Sequence, residues 1–267
     1  MIDLHTHHQR CGHAEGSLAD VAGWAIERGI RVLGVSDHAP RFADPDDHPR
    51  PHTQMARSQW AGYLAEAAAL RDELAGRLDL RVGVEADFLP GSEDVYRGAL
   101  ARPELDCVLG SVHEVLHEAG CWNLFEPDGY AAADIDEVVR RYWRAVAAAA
   151  QSGLFDVLAH LDLIRMLPVP VESPRVEIEA ALDAIADAGV AVEINGSGLR
   201  RDGRPYPDEP IVAGLVRRGV PISFGSDAHA REHLAMGWGE ATAMLARLGV
   251  MRLAGFRGRE LGWVEVG

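Results

Sequence analysis

Val32-Leu33-Gly34-Val35-Ser36-Asp37-His38 decides how the rest of this chain is read: four apolar residues run without polar alternation into three that hydrogen-bond or bind metals. An unbroken apolar run of this length suits a strand covered on both faces, and the polar stop marks where its carboxyl end meets a loop. The same phrase recurs along the chain. Ile2 to Leu4 runs into His5 and His7, Val82 to Val84 into Glu85, and Cys107 to Leu109 into Ser111-Val112-His113. Val157 to Ala159 ends at His160, Val192 to Ile194 at Asn195, and Ile222 to Phe224 at Ser226-Asp227-Ala228-His229.

Helical patterns separate these runs: Leu18 to Arg28, Ser58 to Ala75, Asp134 to Ala150, Glu177 to Ala188 and Ile211 to Arg218, with Glu240 to Leu248 after the last strand. Ser17 and Ser58 are candidate N-caps, and Gly29, Gly153, Gly189 and Gly219 candidate stops. Alternating strands and helices predict an α/β fold of about seven strand-helix units, a barrel one unit short of the usual eight, with its chemistry at the carboxyl ends of the strands. Arg41 to Ala56 and Gly196 to Pro210 lack periodicity and read as long loops over the barrel mouth.

The chain has 267 residues, 48% hydrophobic and 25% charged, which fits one soluble globular domain spanning 1–267. A net charge of -15 disfavours nucleic acid as a general partner, although clustered arginines could hold a small phosphate. All 26 basic residues are Arg. Without lysine there is no Schiff base, P-loop lysine or lysine-derived metal bridge. Cys11, Cys107 and Cys121 show no CxxC spacing, so a reducing, cytoplasmic setting is expected. The N-terminus lacks the layout of a signal peptide, and no apolar stretch approaches the ~20 residues of a membrane span. No apolar surface stripe declares an oligomer.

His5 and His7 lie two apart at a strand end, where alternate side chains point the same way and both imidazoles can face one ion. Asp227 and His229 repeat the spacing at the last strand, and in a closed barrel the first and last strands are neighbours. Glu85, His113 and His160 each stand singly at a strand end, where a capping role is the simpler reading for any one alone. At one edge of one sheet they point to a shared cluster. The two oxygens of Glu85 could each take a separate ion. His13 and His38 complete the set.

Asp3-Leu4-His5-Thr6-His7, His13, Ser36-Asp37-His38, Gly83-Val84-Glu85, Gly110-Ser111-Val112-His113, Ala159-His160 and Gly225-Ser226-Asp227-Ala228-His229 together resemble the polymerase-and-histidinol-phosphatase (PHP) family along almost the whole length. The resemblance implies a distorted seven-stranded (β/α) barrel, TIM-barrel-like, with every family metal position filled. It implies that His5, His7, Glu85 and Asp227 hold a first ion, Glu85, His113 and His160 a second, and His13, His38 and His229 a third. Cys11-Gly12-His13-Ala14, Asp37-His38-Ala39-Pro40, Glu85-Ala86-Asp87-Phe88, His160 to Arg165 and Asn195 to Arg200 further resemble the histidinol-phosphatase branch. Glu114 departs from that branch, which more often carries an aromatic residue there.

A cluster of His and carboxylate ligands suits phosphate-ester hydrolysis, and its donor types fit Zn, Mn or Fe alike. The resemblance implies hydrolysis of L-histidinol phosphate, a step of histidine biosynthesis. A PHP phosphoesterase for another small phosphomonoester, a nucleotide or a single-stranded DNA end is the alternative, and a metal-stabilised non-catalytic module a further one. Arg165 and Arg200, each five residues past a strand-end polar residue, either grip the phosphate or make surface salt bridges. Asp37 is expected to orient a ligand from behind. Asp87, Glu114, Asp162 and the Asp44-Asp46-Asp47 loop are the acids available to a cationic substrate. Asn195 either contacts substrate or caps its turn, and Trp24, Trp60, Tyr63, Tyr142 and Trp143 read as core.

Overall fold

The computed structural model describes residues 1–118, 120–131, 133–167 and 174–266. Its centre is a sheet of seven parallel strands in the order β1 (Ile2–Asp3), β2 (Val32–Val35), β3 (Asp79–Asp87), β4 (Cys107–Ser111), β7 (Val157–Leu158), β8 (Ala191–Asn195) and β9 (Ile222–Gly225). The sheet curls until its edges meet. Leu4 N–H donates to Phe224 O at 3.0 Å, His7 N–H to Ala228 O at 2.9 Å, and Thr6 forms a parallel bridge with Ala228. All seven apolar runs are therefore strands of one barrel, each buried on both sides.

Register brings the polar ends to one rim. Asp87 lies opposite Ser111 and Asn195 opposite Gly225, while His38 bridges to Glu85. Close strand approach needs glycine at Gly34, where a Cβ would meet the Leu4 carbonyl oxygen at 2.4 Å.

The outer layer is α1 (Leu18–Glu27), α2 (Trp60–Glu73), α3 (Glu93–Leu100), α4 (Ile135–Gln151), α5 (Arg175–Ala188), α6 (Glu209–Arg217) and α7 (Trp238–Arg247). Ser17 caps α1 in a reciprocal capping box with Asp20, and Gly189 ends α5 at φ 69°. Ser58 does not cap α2. Its hydroxyl donates to Asp47, and a 3-10 turn at Arg57–Gln59 leads into the helix instead. The amphipathic α4 buries Val138, Val139, Tyr142, Trp143 and Val146 at helical spacing against the barrel. Trp60 and Tyr63 are likewise core, and Trp24 packs partly buried against it.

Three elements add to the expected units. Helix α3 follows β3. A hairpin of β5 (Glu114–His117) and β6 (Gly120–Asn123) rises from the carboxyl end of β4. A second hairpin, β10 (Arg252–Arg257) and β11 (Glu260–Glu265), covers the opposite end of the barrel, where Gly258 N–H and Arg259 engage Asp106 and Asp156 just ahead of β4 and β7. Among the described residues no helix is long and apolar enough to cross a membrane.

Candidate metal centre

Backbone zippering beyond the strand ends delivers the first side chains. Asp227 N–H donates to His5 O at 2.8 Å, so the Asp227 segment lies directly beside the His5-Thr6-His7 extension. Buried Asp3 fixes the joint, accepting Ser226 N–H at 2.8 Å, Ser226 O–H at 2.6 Å and Ala235 N–H at 2.9 Å. His160 (φ 29°) and Asp227 (φ 54°) both sit at left-handed backbone angles. Non-glycine residues hold such angles at a cost of order 1–3 kcal/mol, and they gather where function imposes them.

Everything converges on Glu85. Its Oε2 lies 3.3 Å from His5 Nε2, 3.6 Å from His7 Nε2 and 2.9 Å from His38 Nδ1. Its Oε1 lies 2.9 Å from His160 Nε2 and 3.7 Å from His113 Nε2, and accepts the Ser111 hydroxyl. Asp227 Oδ1 stands 3.1 Å from His7 Nε2 and 3.8 Å from His5 Nε2. Thus His5, His7 and Asp227 form one ligand-spaced group, and Glu85, His113 and His160 another. His5 Nε2, His7 Nε2 and Glu85 Oε2 are buried, and none makes a well-directed hydrogen bond despite its close neighbours. Buried polar atoms are normally satisfied, so orphans that face one point fit a cation between them.

Behind the imidazoles stands a second layer of carboxylates. Glu193 Oε2 is 2.9 Å from His5 Nδ1, Asp37 Oδ1 3.2 Å from His7 Nδ1, and Asp87 Oδ1 2.7 Å from His113 Nδ1. An ionised carboxylate only accepts, so each Nδ1 carries a proton and Nε2 is the nitrogen left to face an ion once the ring is neutral. Asp37 also accepts Cys11 N–H and pairs with buried His8. Glu193 accepts His160 N–H, and Asp87 the Gln54 amide. Asp37 stands behind His7, Asp87 lines the cavity and pairs with His113, and Glu193, inside its strand, is not marked by any strand-end pattern.

The charges answer one another. Burial opposes protonation of His7 and His113, yet Asp227 and Asp37 around the first and Asp87 and Glu85 around the second raise both to about 9. Burial likewise opposes ionisation of Glu85, but His38, His5 and His160 hold its carboxyl well below the usual range.

The third expected set is looser. His38 and His229 group with His7, whose ring stacks on His229 at 4.0 Å between centroids. His13 is exposed, its ring 4.5 Å from that of His229 and 5.3 Å from that of His38, and it groups with His229 and Cys11. The proximity of Cys11 was not legible from its spacing.

Above the cluster opens a cavity of about 470 Å³, lined by Glu85, Asp227 and five of the histidines, His13, His38, His113, His160 and His229. The loop Arg41 to Ala56 covers one side with Arg50, His52, Thr53 and Gln54, and the loop after β8 the other with Ser197, Arg200 and Arg201. Arg200 meets the expectation of standing at the mouth, and donates to Asp227 O at 3.2 Å. Arg165 does not line the cavity. Its guanidinium pairs with Asp208 at 2.5 Å, Asp202 at 3.0 Å and Asp162 at 3.3 Å and lies over the Tyr206 ring. These contacts tie down the loop before α6 and commit the guanidinium to three carboxylates. Asp162 belongs to the same knot, where burial pushes its carboxyl up to about 7 against the pull of Arg165. Asn195 caps: its Oδ1 accepts Ser197 N–H at 2.8 Å. Glu114 is buried in ion pairs with Arg41 at 2.7 Å and Arg50 at 2.7 Å, which accounts for a charged residue at that position.

Residues 3–197 match the PHP domain family model. The chain belongs to the PHP domain family. A relative from Deinococcus radiodurans named probable histidinol-phosphatase is 35% identical, with 98% of each chain covered. Histidinol-phosphatase of Bacillus subtilis is 28% identical over 85% of this chain and 92% of its own. Among solved structures, histidinol phosphate phosphatase of Lactococcus lactis, complexed with zinc, L-histidinol and phosphate, superposes with a TM-score of 0.81, covering 98% of both chains. At 19% identity that likeness speaks for the PHP barrel alone.

Proposed function

We propose that this PHP protein is a metal-dependent phosphoric monoester hydrolase that releases phosphate from L-histidinol phosphate, a cytoplasmic step of histidine biosynthesis. The observation that carries the chemistry is Glu85, buried at the cavity floor with each oxygen turned to a different set of histidines. The substrate follows from kinship to the Deinococcus and Bacillus proteins over most of their length.

In this reading His5, His7, Asp227 and Glu85 would hold one divalent ion, and Glu85, His113 and His160 a second. His13, His38 and His229 hold a third. Zn, Mn and Fe all accept these donors. Ions held there would neutralise the phosphate and lower the pKa of water to about 7, supplying a nucleophile near neutral pH. Glu193, Asp37 and Asp87 keep the imidazole protons on the outer nitrogens. Glu85 and Asp227 would be the catalytic carboxylates that hold the ions, and Arg200 would grip a phosphoryl oxygen from the mouth. Cysteines free of disulfides, one of them exposed, suit a reducing compartment.

Phosphate release measured across L-histidinol phosphate, other small phosphomonoesters, nucleotides and oligonucleotides tests the proposal. Selective release from histidinol phosphate is expected. Equal or better release from another ester would remove the substrate and keep the hydrolase.

A further inference from the structure

We infer that the turn Asn123-Leu124-Phe125-Glu126, which follows the β5–β6 hairpin, is the specificity wall for the organic end of the substrate: Phe125 packs against its imidazole and Glu126 pairs with its ammonium. This rests on the proposed function and names what that reading leaves open, the groups that recognise the leaving alcohol.

Five acids line the cavity, and four are committed. Glu85 and Asp227 belong to the cluster, Asp87 serves His113 and Gln54, and Glu114 is neutralised by Arg41 and Arg50. Glu126 remains. Its Oε1 accepts the Asn123 amide at 3.0 Å, and it has no ion-pair partner among the described residues. An ammonium entering this cavity meets one carboxylate whose charge is free to receive it.

Phe125 is 47% exposed, an uncommon state for a phenylalanine, and it lines the cavity. Its ring centroid lies 5.5 Å from that of His113, and the Arg201 guanidinium rests 5.2 Å from it. The ring therefore already takes a planar, N–H-rich cation, the chemical type of an imidazolium.

The backbone of the turn is held in place. Asn123 Oδ1 accepts Phe125 N–H at 3.0 Å, Asn123 O accepts Glu126 N–H at 3.0 Å, and Leu124 N–H donates to His113 O at 3.0 Å. The turn is thus anchored to the backbone of a residue proposed to hold metal, which fixes the distance between the organic end and the phosphate.

The test compares kcat/KM for L-histidinol phosphate, phosphoethanolamine and glycerol phosphate in the wild type, Phe125→Ala, Phe125→Leu and Glu126→Gln. Both Phe125 variants are expected to lower the ratio of histidinol phosphate to phosphoethanolamine by roughly two- to tenfold, since Leu keeps bulk and loses the ring face. Glu126→Gln is expected to lower both amine-bearing esters by about two- to fivefold relative to glycerol phosphate. A wild type that prefers histidinol phosphate with variants that keep every ratio would overturn this inference and leave the function standing, as would equal losses on all three esters. A wild type without preference for histidinol phosphate would overturn the function, and the wall with it.

Discussion

Glu193 offers the sharpest handle on the second layer of carboxylates. Its Oε2 holds the His5 imidazole at 2.9 Å, while Oε1 receives the His160 backbone N–H at 3.3 Å and the Asn195 amide at 2.5 Å. Every neighbour is a donor. In Glu193→Gln one carboxylate oxygen is replaced by an amide NH2, so a donor faces a donor whichever way the amide turns. A buried polar group left unsatisfied costs about 1–3 kcal/mol. If the loss falls on His5, its outer nitrogen is no longer pinned and its inner lone pair no longer aimed, which for metal-ligand orienting groups means roughly 10–100-fold in affinity. The tenfold bound corresponds to about 1.4 kcal/mol, within the range of one lost hydrogen bond. Competition with a graded series of chelators, followed by metal analysis, measures the affinity, and a thermal melt the folding cost. A Glu193→Gln protein that keeps its metal as tightly as the wild type would refute the reasoning and leave Glu193 as filler.

Gly225→Ala should lose both stability and metal, because the added Cβ would lie 2.3 Å from Glu193 Oε2 and 2.3 Å from His5 Cβ; overpacking of this kind costs about 1–3 kcal/mol, and an unchanged melt with full metal would contradict it. Arg165→Met should lower stability by roughly 1–3 kcal/mol, discounted for partly exposed partners, and change kcat/KM less than about threefold, whereas a loss of a hundredfold in kcat would return Arg165 to the phosphate. Metal uptake by the stripped protein should release protons at pH 7 to 8. His7 and His113 titrate at about 9 without metal and must be neutral to bind it, so affinity should fall as pH drops below that value; calorimetry in buffers of different ionisation heat reads the release, and none detected would contradict the picture.

The rim was legible because a buried parallel strand writes its end into the sequence: at Val35-Ser36 and Ala159-His160 an apolar run stops at the residue that leaves the sheet. Closure was legible too, since the two-apart pairs His5/His7 and Asp227/His229 only make sense side by side. Glu193 hid inside such a run, where a strand-end rule does not look; a lone acid amid Ala191, Val192 and Ile194 was the available signal. For Arg165 the sequence left phosphate contact and salt bridge open, because distance along the chain carries no direction. The 3-10 turn Leu163–Met166 sends it toward Asp202 and Asp208. The β5–β6 hairpin has short, half-exposed strands with too few apolar residues to register. The β10–β11 hairpin did carry a signal, the two-residue Gly258-Arg259 turn at φ 55° and 66°.

The central claim is that Glu85 stands between metal ions. A crystal structure of the metal-loaded protein, with diffraction recorded across the absorption edge of the metal it contains, tests this directly. Anomalous peaks are expected on both sides of the Glu85 carboxylate, one within reach of His5, His7 and Asp227 and one of His113 and His160. A single ion closed off by four ligands elsewhere, or no peak beside Glu85 in a fully active protein, would contradict it.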